Sequence, residues 1–99
     1  MRLRLKYGAA VPRIELTSHL ARHVDCPPED VAGTTLHEVL DAYFAKHPKV
    51  RSYVFDEQGA LRRHVVLFVG DTQAHDRKGL SDVVAADQTI YVMQALSGG

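Results

Sequence analysis

Two glycines, Gly98 and Gly99, end the sequence directly after a strand-like segment. Because glycine has no Cβ, a backbone ending in two glycines is thin and adopts φ values that other residues avoid. Such a tail can carry its α-carboxylate through a narrow channel into another protein's active site. The alternative is a fraying terminus rich in small residues, with no chemical role. The Gly99 carboxylate is therefore the candidate reactive group, and Gly98 gives access to it.

The five residues 95–99 form the predicted flexible tail, and residues 1–94 form the predicted folded domain. An α-carboxylate is ionised at neutral pH and is a poor electrophile, so its acyl carbon requires activation by another enzyme. Fully extended, the tail spans at most about 17 Å, which is enough to enter a partner's pocket. We expect Leu96 to anchor the base of the tail and Ser97 to keep it slim and hydrated.

The composition is that of one ordinary globular domain. The chain has 99 residues, of which 45% are hydrophobic and 24% charged, and twelve basic residues balance twelve acidic ones. No strong net field attracts nucleic acid, and no apolar run approaches the roughly 18 residues of a membrane span. The single cysteine, Cys26, excludes an internal disulfide and fits a reducing compartment. We expect a cytoplasmic protein without nucleic-acid or membrane partners.

Other residues that could do chemistry form weaker patterns. His19, His23 and Cys26 resemble part of a zinc site, but a structural zinc requires four ligands, so no metal is expected. Cys26 is predicted to be an inert, partly buried thiol. Asp56 and Glu57 are predicted to form a turn rather than a catalytic acid pair. The sequence contains no nucleotide-binding motif, so we expect no bound cofactor and no enzymatic activity of its own.

The elements that must position the tail follow from periodicity. Strict alternation predicts strands over residues 2–7 and 18–26, although the second segment also has a helical alternative. A helix is predicted over residues 35–47. The apolar run 64–69 predicts a strand covered on both faces, and residues 89–93 predict a last strand rich in β-branched side chains.

The helix has the strongest signal in the chain. Thr35 and Glu38 form a predicted capping box, in which the Thr35 hydroxyl accepts from the Glu38 amide and Glu38 reaches back to the Thr35 amide. Pro48 is predicted to end the helix. One face carries apolar residues at helical spacing: Leu36, Val39, Leu40, Tyr43 and Phe44.

This element order predicts an α+β fold of the β-grasp (ubiquitin-like) type. A main helix set between strand pairs covers one face of a single mixed sheet of four to five strands. If the first and last strands pair at the centre of the sheet, the tail leaves from the end of a rigid central strand.

The chain also resembles the MoaD/ThiS family of ubiquitin-like sulfur carriers, which includes the small subunit of molybdopterin synthase and the thiamine sulfur carrier. The resemblance covers most of the chain after about residue 33. It depends on residues 35–40 (TLHEVL), 55–59 (FDEQG), 67–71 (LFVGD) and 90–93 (IYVM), followed by the terminal glycine pair.

This resemblance implies a protein co-substrate rather than an enzyme, even where such a chain is called a synthase subunit. A ubiquitin-activating-type enzyme would use ATP and Mg²⁺ to adenylate Gly99. A sulfur donor, which is a sulfurtransferase or a cysteine desulfurase, would then convert the carboxylate to a thiocarboxylate. A sulfur-accepting synthase subunit would take the sulfur into molybdopterin, thiamine or another thio-metabolite.

Docking requires a surface beyond the tail. Arg62 and Arg63 are candidate charged contacts, with solvated surface charge as the alternative. Phe68 is a candidate for an apolar patch on the exposed sheet face, with burial in the core as the favoured alternative. Two rival functions remain: a ubiquitin-like modifier conjugated to lysines through Gly99, and a β-grasp interaction module with an inert tail.

Overall fold

The computed structural model describes residues 11–94. The predicted strand over residues 2–7 and the tail residues Leu96, Ser97, Gly98 and Gly99 lie outside the described part. Five strands and three helices follow one another in this range: β1 (Arg13–Leu16), α1 (Ser18–Ala21), β2 (Glu29–Asp30), α2 (Leu36–Lys46), α3 (Pro48–Val54), β3 (Val65–Val69), β4 (Thr72–Gln73) and β5 (Thr89–Gln94).

The strands form one mixed sheet in the order β2-β1-β5-β3-β4. β1 runs parallel to β5, with Ile14 opposite Ile90, and β3 runs antiparallel to β5 on its other side. β5 is therefore paired on both edges and lies at the centre of the sheet. The predicted β-grasp fold and the central position of the last strand are confirmed.

Helix α2 forms for the reasons that its sequence predicts. The five apolar residues of its stripe are all buried in the core. Thr35 Oγ1 accepts a hydrogen bond from the Glu38 amide at 3.2 Å. The Glu38 carboxylate bonds to the amide and hydroxyl of Thr34, at 2.8 and 2.9 Å, one residue before the predicted partner. These bonds, the Thr34 amide first, lower the pKa of Glu38.

Helix α3 was not predicted, because Pro48 was interpreted only as a helix stop. Pro48 does follow the end of α2, but it also occupies the first turn of α3. A proline is favoured there, since its missing N–H would have no partner within the helix and its φ is already helical. Val50 and Val54 of α3 are fully buried.

The strand predicted over residues 18–26 is wrong. This segment begins with the short helix α1, and the amides of His23 and Val24 both donate to the Leu20 carbonyl. The flanking strands β1 and β2 pair antiparallel across it. Alternating apolar residues in so short a segment fit a single helical turn as well, and burial of Leu20 in the core selects that turn.

The core lies between the helices and one face of the sheet. It contains Ile14 of β1, Val65 and Leu67 of β3, and Ile90 and Val92 of β5. Every second residue of β3 is buried and the intervening ones are half-buried. The prediction that this strand is covered on both faces is therefore wrong, because no element of the described chain packs over the second face.

Cys26 is buried, and burial followed by the nearby Asp25 raises the pKa of its thiol. Both effects disfavour the thiolate, the nucleophilic form, so they agree with the inert role that stays a prediction for this thiol. His19 and His23, one helical turn apart, have ring centroids separated by 5.4 Å. Within residues 11–94, no group of three or more His, Cys, Asp or Glu residues is placed to hold a metal ion.

The connection between β4 and β5 is organised by one carboxylate. Asp76 accepts hydrogen bonds from the Ser81 hydroxyl at 2.7 Å and the Gly79 amide at 2.9 Å. The Ser81 hydroxyl first, and then the backbone amides, lower the pKa of Asp76 to about 2. This loop also supports α2, because the Leu36 amide donates to the Asp82 carbonyl.

We expect the Asp76→Asn variant to lose part of the acid sensitivity of the protein. The pKa of Asp76 is lower in the folded protein than the ordinary value of 3.8. Its contribution to the stability of the fold is therefore complete above about pH 4, and it is lost as the pH falls towards about 2. Melting temperatures of the wild type should fall across that window, and those of the variant should fall less steeply. Asp87→Asn, at an exposed turn residue, is the control and should keep the wild-type slope.

Candidate functional site

The candidate site is the sheet edge at which β5 ends. Gln94, the last residue of β5, is paired with Val65, the first residue of β3. Residues 62–64 immediately precede Val65, so they lie at the same edge of the sheet as Gln94. A chain that continues past Gln94 therefore starts from a central strand that is paired with β1 up to Val92 and with β3 up to Gln94.

Arg62 and Arg63, both predicted partner contacts, are placed differently. The Arg62 Nε donates to the Ser52 carbonyl of α3 at 2.9 Å, and its amide donates to the Val54 carbonyl. Arg62 therefore joins the turn to α3 and is only half-exposed. Arg63 is exposed, in the turn that precedes β3.

Arg77 is a residue of this site that the sequence did not reveal. Its guanidinium donates to the Val65 carbonyl at 2.7 Å and to the Arg62 carbonyl at 2.9 Å, which ties the loop after β4 to the turn at the tail. Its partners are backbone carbonyls far along the chain, so no motif could have indicated them.

An apolar strip crosses the open face of the sheet. Phe68 lies opposite Tyr91, and Val66 opposite Met93, in the register of β3 and β5. Tyr91 is 38% exposed and Met93 45%, whereas Phe68 and Val66 are half-buried. The prediction that favoured burial of Phe68 in the core is wrong. Phe68 lies between the buried residues Leu67 and Val69 of β3, so its side chain is on the sheet face away from the helices. Tyr91 and Met93 were missed, although their alternation with buried Ile90 and Val92 contained the signal.

A charged border lies beside this strip on β1. Glu15 is opposite Tyr91, and its carboxylate accepts from Arg13 Nε at 3.0 Å. Arg13 also approaches Asp30 at 3.7 Å. The open face thus combines an apolar centre with a polar rim, an arrangement typical of protein–protein interfaces.

The remaining sequence candidates are structural. Asp56 closes the predicted turn, since its carboxylate accepts from the Gln58 and Ala60 amides at 2.8 and 2.9 Å. The Ala60 amide first, and then that of Gln58, lower the pKa of Asp56. Within residues 11–94, no helix is long and apolar enough to cross a bilayer.

These features define a ubiquitin-like β-grasp domain, with an open sheet face beside the strand from which the tail continues. The resemblance to small ubiquitin-like proteins of the MoaD/ThiS type is confirmed by similarity to solved structures. A comparison with protein-family models finds no match. A comparison with curated proteins finds none either.

The similar structures match this chain over nearly its whole length. SAMP1 from Haloferax volcanii is 27% identical with a TM-score of 0.71, covering 89% of this chain and 98% of that one. A chain of the Amycolatopsis orientalis BexX/CysO complex has a TM-score of 0.74 at 21% identity, covering 90% and 100%. CysO from Mycobacterium tuberculosis has a TM-score of 0.72 at 20% identity, covering 86% and 99%. The last two similarities concern the fold alone.

Proposed function

We propose that the chain is a sulfur-carrier protein whose reactive group is the carboxylate of Gly99. The observation that carries this proposal is the central position of β5, which is paired with β1 up to Val92 and with β3 up to Gln94. A rigid strand end followed by a short tail with two terminal glycines presents a carboxylate to another protein's active site. The similarity to SAMP1 supports the same class of protein, and the CysO structures share the fold.

The proposed chemistry has two steps, both catalysed by partners. A Gly99 carboxylate oxygen attacks the α-phosphorus of ATP and pyrophosphate leaves, which gives an acyl adenylate. Hydrosulfide then attacks the carbonyl carbon and AMP leaves, so a C–S bond replaces a C–O bond. If the donor is a persulfide, a thiol must afterwards reduce the acyl disulfide. The chain itself binds no ATP or Mg²⁺ in this scheme and acts as a co-substrate.

Intact mass spectrometry tests this proposal. The full chain is incubated with its cognate activating enzyme, ATP, Mg²⁺ and sulfide. The mass should rise by the difference between one sulfur and one oxygen atom, and only when ATP is present. An unchanged mass, in a reaction where the same enzyme loads a second carrier protein as a positive control, would refute the sulfur-carrier proposal. The acceptor, a synthase for molybdopterin, thiamine or another thio-metabolite, is then found by supplying the loaded chain to each candidate.

A second candidate function is conjugation to other proteins. The observation that favours it is the similarity to structures named small archaeal modifier protein 1, at 26% identity in one of them. Both functions begin with adenylation of Gly99, and they differ in the nucleophile. Lysine-linked conjugates of the tagged chain in a cell extract, identified by the Ser97-Gly98-Gly99 remnant that cleavage after Leu96 leaves on the lysine, would establish the modifier function.

We expect the open sheet face to dock the activating enzyme. Met93→Asp places a charge in the apolar strip and should raise the KM for the chain about tenfold or more, with kcat nearly unchanged. The matched control is Val83→Asp, because Val83 is 76% exposed and belongs to none of the strands of the sheet. Equal KM values for the two variants would contradict docking through this face. Melting temperatures verify that both variants are folded.

A further inference from the structure

The outer edge of β3 is only partly covered by β4. The edge strand β4 pairs with Phe68 and Val69, the last two residues of β3. The Leu67 carbonyl also points to this side, since it accepts from the Ala74 amide at 2.8 Å. Carbonyls two residues apart on a strand face the same side, so the Val65 carbonyl lies on this outer edge as well. The two-residue strand β4 does not extend to it.

The side chain of Arg77 occupies the place that a longer β4 would take. Its Nη1 donates to the Val65 carbonyl at 2.7 Å and its Nη2 to the Arg62 carbonyl at 2.9 Å. The Arg62 carbonyl also accepts from the Val65 amide at 3.0 Å. Hydrogen bonds from a guanidinium are charge-assisted, and its planar fork fixes two acceptors at once. Arg77 therefore holds the turn before β3 and the first residue of β3 in one geometry.

The residue that Arg77 fixes is the last neighbour of β5. Val65 is paired with Gln94, whereas β1 pairs with β5 only up to Val92. Within residues 11–94, the final two residues of β5, Met93 and Gln94, are therefore paired with the start of β3 alone. Strand ends with few neighbours open locally at a low cost in free energy. If the start of β3 opens, the end of β5 is released with it.

We propose that Arg77 is a positioning residue for the C-terminal tail. By fixing the start of β3, it keeps β5 paired to its last residue and holds the point from which the tail continues. This inference rests on the proposed function, in which a partner receives the Gly99 carboxylate. In this role Arg77 touches neither the reacting atoms nor the partner. A tail with a fixed origin brings its carboxylate to the reacting position in a larger fraction of the docked complexes.

Amide hydrogen exchange of the full chain tests the positioning without any partner. Arg77→Ala should raise the exchange rate of the Met93 amide about tenfold, since Met93 is paired with Val66 beside the released end. The Tyr91 amide, paired with Phe68 in the middle of the two strands, is the internal control and should exchange as in the wild type. Arg77→Lys keeps the charge but not the planar fork, so it should resemble Arg77→Ala more than the wild type. Unchanged exchange at Met93 in both variants would overturn the proposal.

Kinetics with the cognate activating enzyme, measured as ATP-dependent pyrophosphate release, test the consequence for the tail. Both variants should lower kcat about fivefold with KM nearly unchanged, because the open sheet face is intact and only the presentation of the carboxylate is impaired. A direct contact between the Arg77 charge and the enzyme would instead raise the KM of Arg77→Ala and leave Arg77→Lys close to the wild type. That result would also overturn the proposal.

Leu20→Ala separates positioning from a general loss of stability. Leu20 is buried in α1, which connects β1 to β2 at the opposite edge of the sheet from β4. This variant should lower the melting temperature at least as much as Arg77→Ala and keep the kcat of the wild type, and an equal fall in kcat would show a merely structural role. A wild type that is not activated at all refutes the proposed function, whereas the exchange of Met93 still decides whether Arg77 holds the end of β5.

Discussion

Removal of Gly98 and Gly99 is expected to abolish ATP-dependent activation of the chain and to leave the folded domain unchanged. The truncated chain retains every strand of the sheet, because β5 ends at Gln94. It loses the carboxylate that would react, and its new terminus, Ser97, is too close to the domain to reach the same position. Pyrophosphate release with the cognate activating enzyme should fall to the background, while the melting temperature stays that of the full chain.

A substitution separates the role of glycine from the role of length. Gly98→Val keeps the length and the terminal carboxylate but adds a branched side chain in the proposed channel. We expect activation to fall about a hundredfold, because small misplacements of a reacting group have effects of that size. Ser97→Ala, a change of similar position and small size, should remain close to the wild type. Efficient activation of the truncated chain would show that Gly99 is not the reactive residue.

Tyr43→Ala is expected to have the largest effect on stability. Tyr43 is completely buried in α2, and its hydroxyl donates to the Pro27 carbonyl at 2.8 Å. Burial raises the pKa of this phenol far above its ordinary value, so it remains a donor throughout the accessible range. Truncation of a large buried aromatic side chain lowers the free energy of unfolding by about 3–5 kcal/mol. That loss is a large part of the roughly 5–15 kcal/mol typical of a domain.

Urea denaturation measures this effect, and Tyr53→Ala provides the control. Tyr53 is 38% exposed, and its hydroxyl lies 3.5 Å from the His23 carbonyl, a long hydrogen bond. Its truncation should lower the free energy of unfolding by about 1 kcal/mol or less. Tyr43→Phe isolates the hydrogen bond to Pro27 and should lower the free energy of unfolding by about 1 kcal/mol, since the partly buried Pro27 carbonyl loses its donor. Similar losses for Tyr43→Ala and Tyr53→Ala would contradict this account of the core.

The elements predicted correctly are those whose signals are local. α2 combines five apolar residues at helical spacing with a capping threonine, so its register and its start follow from neighbours in the chain. β3 and β5 are long enough for alternation or continuous apolar character to be recognised. The prediction for residues 18–26 was wrong because a four-residue helix is too short to show a helical pattern of apolar residues. Pro48 misled because proline both ends one helix and begins the next.

The residues of the candidate site also differ in whether a local signal in the sequence could indicate them. The role of the terminal glycines and of the Gly99 carboxylate is a prediction from residue types alone, since the proposed chemistry needs only a thin backbone and a free terminus. The apolar strip was only partly recognised, because whether Phe68 faces the core or solvent depends on which face of the sheet the helices cover. Arg77 was not recognised, because it binds carbonyls of residues more than ten positions away.

The sequence by itself determined the main helix and the last strand, and it indicated the terminal glycines for which a reactive role is proposed. Each of these depends on local periodicity or on a single functional group. Only the tertiary structure decided that β5 is paired on both sides, that Tyr91 and Met93 share an open face with Phe68, and that the Arg77 guanidinium bonds to the start of β3. These features depend on contacts between distant residues, whose register is set by burial of one face of the sheet.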